Sequence, residues 1–202
     1  MKVALVGASG NVGSRILAEL SSRGHAVTAI ARSPEKIAKL PNVKAVAGDA
    51  EHADALGEIL RGHDAVVTSI HFSASDVKKL IAAVKKSGVK RYLMVGGAGS
   101  LEVAPGVKLI DAPQFPAEYK PEAAAGGVSL DRLRSETGLD WTFLSPSAMF
   151  VPGERTGKFR LGTDQLIANE SGSSISFEDY AIALVDELET PKHIKARFTV
   201  GY

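Results

Sequence analysis

Seven consecutive residues, Gly7-Ala8-Ser9-Gly10-Asn11-Val12-Gly13, carry the spacing of a backbone phosphate cradle. They follow the apolar run Val3-Ala4-Leu5-Val6 and open onto a helix-period stretch with Val12, Ile16, Leu17 and Leu20 on one face. Strand, glycine turn and helix is the context in which this spacing binds a pyrophosphate. Gly7 permits a tight turn off the strand. Gly10 takes a Cβ out of the path of the incoming phosphate, and Gly13 lets the helix pack close to the strand. The helix then offers unpaired N–H groups and the positive end of its dipole to the anion.

The residues that would choose between dinucleotides stand further on. An NAD site places an Asp or Glu about 20 residues past the glycines, on the ribose 2′-hydroxyl, whereas NADP sites tend to use Arg. Here the segment reads Ala29-Ile30-Ala31-Arg32-Ser33 and holds no acid. Arg32 can fork onto a 2′-phosphate, and Lys36, one helical turn on, adds a second cation. NADP(H) is therefore the expected cofactor, with NAD(H) possible. Gly48-Asp49-Ala50 follows the third expected strand, so Asp49 either accepts from the adenine amino group or caps the next helix.

These residues need a frame. Expected strands are Val3–Val6, His25–Ile30, Val43–Ala47, Asp64–Ile70, Arg91–Val95, Asp140–Leu144 and Arg197–Val200. Between them lie amphipathic stretches: a short helix from Pro34 to about Leu40, one closed by Gly62, one with the stripe Val77, Leu80, Ile81 and Val84 stopped by Gly88, and one from near Pro121 to about Thr137. A last helix carries Tyr180, Leu184, Val185 and Leu188 behind a Ser176–Asp179 capping box. Such alternation predicts an α/β, Rossmann-type doubly wound parallel sheet with helices on both faces. The pattern lapses at Gly96-Gly97-Ala98-Gly99-Ser100 and through a loop with Pro105, Pro113 and Pro116; a loop of that length is usually functional. It lapses again from Pro152 to Ser174, apart from strand-like pieces near Lys158–Leu161 and Gln165–Ile167, with Pro146 expected to break the strand before them. We expect a single domain over 1–202, with 151–176 and 190–202 as a small substrate-side appendage.

Bulk composition narrows the partners. The 202 residues carry a net charge of +1, which argues for neither nucleic acid nor an anionic membrane. The chain contains no cysteine, hence no disulfide, thiolate metal site or Cys nucleophile. No apolar run approaches the ~20 residues of a membrane span. A cytoplasmic protein, monomer or homodimer, is the expectation.

Taken together, the glycine turn, Ala31-Arg32-Ser33-Pro34, Gly48-Asp49, Leu139-Asp140-Trp141-Thr142 and Ser145-Pro146-Ser147-Ala148 resemble the atypical short-chain dehydrogenase/reductases. Within these the chain is similar to the NmrA-like and NADH-flavin-reductase or biliverdin-reductase-B-like group, along essentially its whole length. The resemblance implies a Rossmann domain binding NADP(H). It also implies nicotinamide contacts after the fourth strand (Ser69, Ile70, His71), after the fifth (Gly96, Gly97) and after the sixth (Pro146, Ser147, Ala148).

The chain departs from that family where protons move. Typical short-chain dehydrogenases use a Tyr with a Lys four positions later, but Tyr92, Tyr119 and Tyr180 are followed there by Gly96, Ala123 and Leu184. The usual Ser or Thr after the fifth strand falls on Ala98, and the His of the biliverdin-reductase-B-like proteins falls on Ala148. Reduction of a flavin or quinone needs this machinery least, because positioning carries most of the catalysis. An NADPH-dependent reductase of a planar conjugated acceptor is thus the first expectation. An NmrA-like redox sensor without turnover is the second, and a nucleotide-sugar epimerase or dehydratase a weaker third. His71 and Tyr119 are the candidate catalytic side chains. His25, His52, His63 and His193 lack metal-ligand spacing and are expected to be solvated; no metal is expected. Trp141 and Phe143 are expected to pack in the core.

Overall fold

The structure, a computed structural model, describes all of residues 1–202. In chain order the elements are β1 (Lys2–Val6), α1 (Asn11–Ser22), β2 (Ala26–Ala31), β3 (Val43–Ala47), α2 (Ala53–Leu60), β4 (Ala65–Thr68), α3 (Val77–Ser87) and β5 (Arg91–Val95). There follow β6 (Glu102–Ala104), β7 (Val107–Lys108), α4 (Lys120–Arg134), β8 (Asp140–Pro146), β9 (Met149–Val151), β10 (Arg160–Gly162), β11 (Ser174–Ser176), α5 (Phe177–Glu189) and β12 (Ala196–Gly201). The main sheet has eight strands in the order β10-β12-β8-β5-β4-β1-β2-β3. Every neighbouring pair in it is parallel except β10 with β12.

Apolar runs read as continuous because both faces of the sheet are covered. Along β1, Val3 and Leu5 pack under α1 and α5 with Leu17, Leu20, Tyr180, Leu184 and Phe198. Ala4 and Val6 point the other way, into a cluster with Leu60, Leu80, Ile81, Leu130, Trp141 and Phe143 under α2, α3 and α4. Each fully buried Leu, Ile or Phe stabilises this arrangement by about 1.5–3 kcal/mol. The winding reverses between β1 and β4, which pair directly, so the ligand crevice of the fold opens at their C-terminal ends.

Several elements differ from expectation for local reasons. The helix after Ser33 is one 3₁₀ turn, Pro34–Lys36, because Ile37 turns extended and buries its side chain, and Pro41 disfavours helix at Leu40. Pro146 does not break its strand: β8 runs through it, pairing with Val200. Of Gln165–Ile167, only Gln165 bridges, to Glu102. The long loop after β5 holds the β6–β7 hairpin, turning at Pro105-Gly106 (Gly106 φ +74°), and two further 3₁₀ turns. Residues 190–202 supply β12, an inner strand of the main sheet between β8 and β10.

The capping box at α5 is only half made. Ser176 Oγ accepts from Asp179 N at 3.0 Å, but the Ser176 N–H goes to the Tyr202 hydroxyl. The buried Asp179 carboxylate instead holds the 156–157 segment, accepting from Thr156 N, Gly157 N, Thr156 Oγ1 and the Tyr202 hydroxyl at 2.6–2.8 Å. Three of the four discounted histidines are not solvated. His25 is buried and meets Glu189 at 2.8 Å, and His63 bonds Thr28 Oγ1 and Leu60 O. His193 bonds Glu187 and stacks on Phe198 with centroids 4.1 Å apart. Each has a polar partner, distant in sequence for His25 and His63 and six residues away for His193, and the pairing makes burial affordable. His52 alone of the four is exposed.

Candidate cofactor crevice and acceptor site

The glycine turn is shaped by steric necessity. Gly7 has φ +86°, and a Cβ there would sit 2.1 Å from the carbonyl oxygen of Ser69. The β1 and β4 loops therefore touch at the switch point through Gly7 and Ser69. A Cβ on Gly13 would lie 2.1 Å from the Gly7 carbonyl, so α1 packs down onto the turn only because Gly13 has none. Gly10 differs: its φ is −74° and a Cβ would meet only Gly7 O, at 3.3 Å. The fold does not demand glycine at position 10 as it does at 7 and 13, and the open space above it suits a ligand.

The N-terminus of α1 is left bare. Its N-cap is Gly10, no side chain caps it and no acid occupies its first turn. By contrast, α3 is capped by Asp76, and α5 by Ser176 with Glu178 and Asp179 behind it. The first N–H groups of a helix need partners, and here a phosphate at the backbone of Asn11, Val12 and Gly13 would supply them. Ala8 is buried and Ser9 exposed at the lip.

At the end of β2, Arg32 and Lys36 are exposed and Ser33 half-buried. No side chain of the three forms a hydrogen bond or ion pair, and Ser33 does not cap the turn that follows it. Two cations and a hydroxyl free of internal partners fit a 2′-phosphate by the chemistry of their donors. Asp49 is not the N-cap of α2, which is His52; it makes an Asx turn, Oδ1 accepting from Glu51 N at 3.0 Å. Its cap role is excluded, while a contact to adenine remains open to its second oxygen. Ala50 is buried in the core and offers no side-chain polar atom.

The nicotinamide-side residues divide. Ser69 and Ile70 are half-buried against Gly7. Gly96 is buried, and a Cβ there would strike the Phe143 ring at 2.4 Å, so packing explains its glycine; Gly97 is the more open of the two. The Ser147 side chain is turned away from the crevice: it is fully buried and donates to Val200 O at 3.0 Å. Pro146 is buried too, within β8, which leaves Ala148 exposed.

Proton-transfer groups are few. Burial pushes the Tyr92 and Tyr180 hydroxyls up, out of the useful range. Tyr92 is bonded to Thr68, while Tyr180 donates to Leu144 O at 2.7 Å and accepts from Gly96 N at 3.3 Å, tying the ends of β5 and β8 together. Tyr202 serves Asp179 and Ser176. Tyr119, by contrast, is 61% exposed and its hydroxyl has no partner. His71 is exposed, its Nδ1 3.4 Å from Glu122 Oε1.

Glu122, in the first turn of α4, was not singled out from the sequence. Its Oε1 accepts from Phe72 N at 2.7 Å and its Oε2 from Ser73 N at 2.8 Å. Burial raises its pKa, but the Ser73 and Phe72 donors and nearby His71 more than offset this and hold it below the ordinary glutamate range. The one available signal was an acid in the first turn of a helix after a long loop. Its partners lie some 50 residues earlier, beyond the reach of local patterns.

A cavity of about 280 Å³ lies between α5, the β10–β12 edge and the 190–193 turn. Its buried acid Glu187 is already committed to Arg91, Lys192 N, His193 N and the His193 ring, a closed structural staple.

A family model described as NAD(P)H-binding matches residues 7–191. YwnB of Bacillus subtilis strain 168, itself uncharacterised, is 43% identical over 99% of this chain and 98% of its own length. A Bacteroides thetaiotaomicron protein proposed to be an epimerase superposes with a TM-score of 0.94 at 45% identity, covering 100% of this chain and 96% of that one. A Streptococcus pneumoniae TIGR4 protein proposed to be an NADH-flavin reductase gives a TM-score of 0.86 at 37% identity, covering 100% and 99%.

Proposed function

Since the chain belongs to the NAD(P)H-binding family, within the atypical short-chain dehydrogenase/reductases, we propose that it is an NADPH-dependent reductase of a planar conjugated acceptor, a flavin or a quinone. The observation that carries the cofactor half is the bare N-terminus of α1 above an open Gly10, beside an unpartnered Arg32, Ser33 and Lys36. The backbone of residues 11–13 would hold the pyrophosphate, and Arg32, Ser33 and Lys36 the 2′-phosphate. Ser69, Ile70 and Gly97 would border the nicotinamide. The bound cofactor supplies a hydride. The chain's own part is to orient the rings and exclude water, which suits an acceptor needing no Tyr–Lys pair. The flavin-reductase-like neighbour supports this acceptor class; the more similar Bacteroides neighbour is proposed to be an epimerase, and what speaks against a sugar nucleotide here is the missing Tyr–Lys pair.

The missing Tyr–Lys pair and Ala98 also favour a second reading, a redox sensor that binds NADP(H) without turnover. Steady-state NADPH oxidation with FMN, riboflavin and quinones separates the two. Turnover with at least one of them is expected of the reductase; tight NADP(H) binding with none would favour the sensor.

A further inference from the structure

The loop after β4 is clasped from two sides. Glu122 holds the amides of Phe72 and Ser73 in its two oxygens. The Phe72 ring faces Phe143, with centroids 6.1 Å apart, and lies where Gly97 and Gly126 lack side chains, 3.5 and 3.1 Å from where their Cβ atoms would be. The same face of α4 continues through Ala123, whose Cβ fills the space left by Gly99. The turn bearing His71 is thereby fixed to α4 and to the loop after β5.

One helical turn before Glu122 stands Tyr119. It ends the 3₁₀ turn Ala117–Tyr119, between Pro116 and Pro121, which limit the backbone on both sides. Residues three apart share a helix face, so Tyr119 extends the stripe of Glu122, Ala123 and Gly126 outward, past the packed region. A tyrosine 61% exposed, with no bonded partner, on a backbone stiffened by two prolines, is a poor packing residue and a good platform. On the clasped turn, the 85%-exposed His71 side chain has the Glu122 carboxylate, one helical turn on from Tyr119, as the only acid within 4 Å.

We propose that Tyr119 and the His71–Ser73 turn are the two lips of the acceptor bay, Tyr119 stacking on a planar conjugated ring, and that Glu122 is the positioning residue that sets the lips apart. This rests on the reductase reading above and adds to it where the acceptor binds.

The test uses the full chain saturated with NADP⁺, so that nothing turns over, and follows quenching of riboflavin fluorescence on titration. Riboflavin should bind wild type. Tyr119→Ala should weaken it about tenfold and Tyr119→Phe restore it, since the ring rather than the hydroxyl does the stacking. Glu122→Ala should weaken it comparably, and Glu122→Gln should recover part, because an amide oxygen still accepts one of the two N–H groups. Calorimetric NADP⁺ affinity should stay within about twofold throughout, which a merely structural loss at Glu122 would not allow. Riboflavin binding unchanged in Tyr119→Ala overturns the proposal and leaves the reductase reading standing. Loss of NADP⁺ together with riboflavin in Glu122→Ala overturns the positioning role. A wild type that binds NADP⁺ but neither riboflavin nor, by calorimetry, a naphthoquinone overturns both readings.

Discussion

Gly10→Ala separates the fold's need for glycine from the ligand's. Gly10 sits at φ −74° and ψ 169°, ordinary for any residue, donates to Gly7 O at 3.1 Å and accepts from Ser14 N at 2.9 Å. Alanine keeps both bonds. Its Cβ needs only a few tenths of an ångström of give at Gly7 O, 3.3 Å away. The reduced freedom of the unfolded chain offsets part of that strain, so stability should change by less than about 1 kcal/mol. The same methyl occupies the space where a phosphate must come down onto the amides of residues 11–13. Losing one charge-assisted bond there costs about 1.5–3 kcal/mol, roughly 10- to 150-fold in affinity. Gly13→Ala is the contrast: its Cβ would lie 2.1 Å from Gly7 O, so α1 must move and the protein should unfold several degrees lower or fail to accumulate. Thermal unfolding and calorimetric titration of NADPH read the two effects separately. A Gly10→Ala protein that binds NADPH like wild type, or that unfolds like Gly13→Ala, refutes the placement of the pyrophosphate.

Arg32→Ala should weaken NADPH by about 5- to 30-fold and leave NADH nearly unchanged, the lower end reflecting solvent screening at an exposed site; equal loss of both cofactors in calorimetry would sink the assignment. Asp179→Asn should cost about 2 kcal/mol at neutral pH, because four donors lose a buried carboxylate. Burial raises the Asp179 pKa, but Thr156, Gly157 and Tyr202 pull it further down, to below the ordinary aspartate range. As pH falls the unfolded chain takes the proton first, so this stabilisation is intact above about pH 4 and drains below it. Denaturant midpoints of wild type and Asp179→Asn should therefore converge under acid, and parallel curves would contradict the linkage.

The frame was legible where periodicity is local. The run Val3–Val6, the stripe of α3 and the glycines at 7, 10 and 13 each declare themselves within one turn or strand, and the structure places them as expected. Arg32 is a candidate because dinucleotide sites fix a distance along the chain, and the structure leaves it exposed at the end of β2. What escaped depends on contacts made across it. Ser147 looked like a crevice residue, yet its hydroxyl is spent on Val200. His25 and His63 looked like surface until Glu189 and Thr28 came into view. Glu122 did not stand out in the sequence at all, because its meaning lies in the amides of Phe72 and Ser73, beyond the end of β4. Glycine motifs also proved to mean different things: Gly96 answers to the Phe143 ring, and Gly10 to open space.

The most direct measurement of the central claim is a single anaerobic mixing of the protein–NADPH complex with excess riboflavin or a naphthoquinone, repeated with NADPH deuterated at the nicotinamide C4. The account predicts that nicotinamide oxidation and acceptor reduction proceed together, one for one, with deuterium slowing both. NADPH that binds tightly yet stays reduced before every acceptor would contradict it.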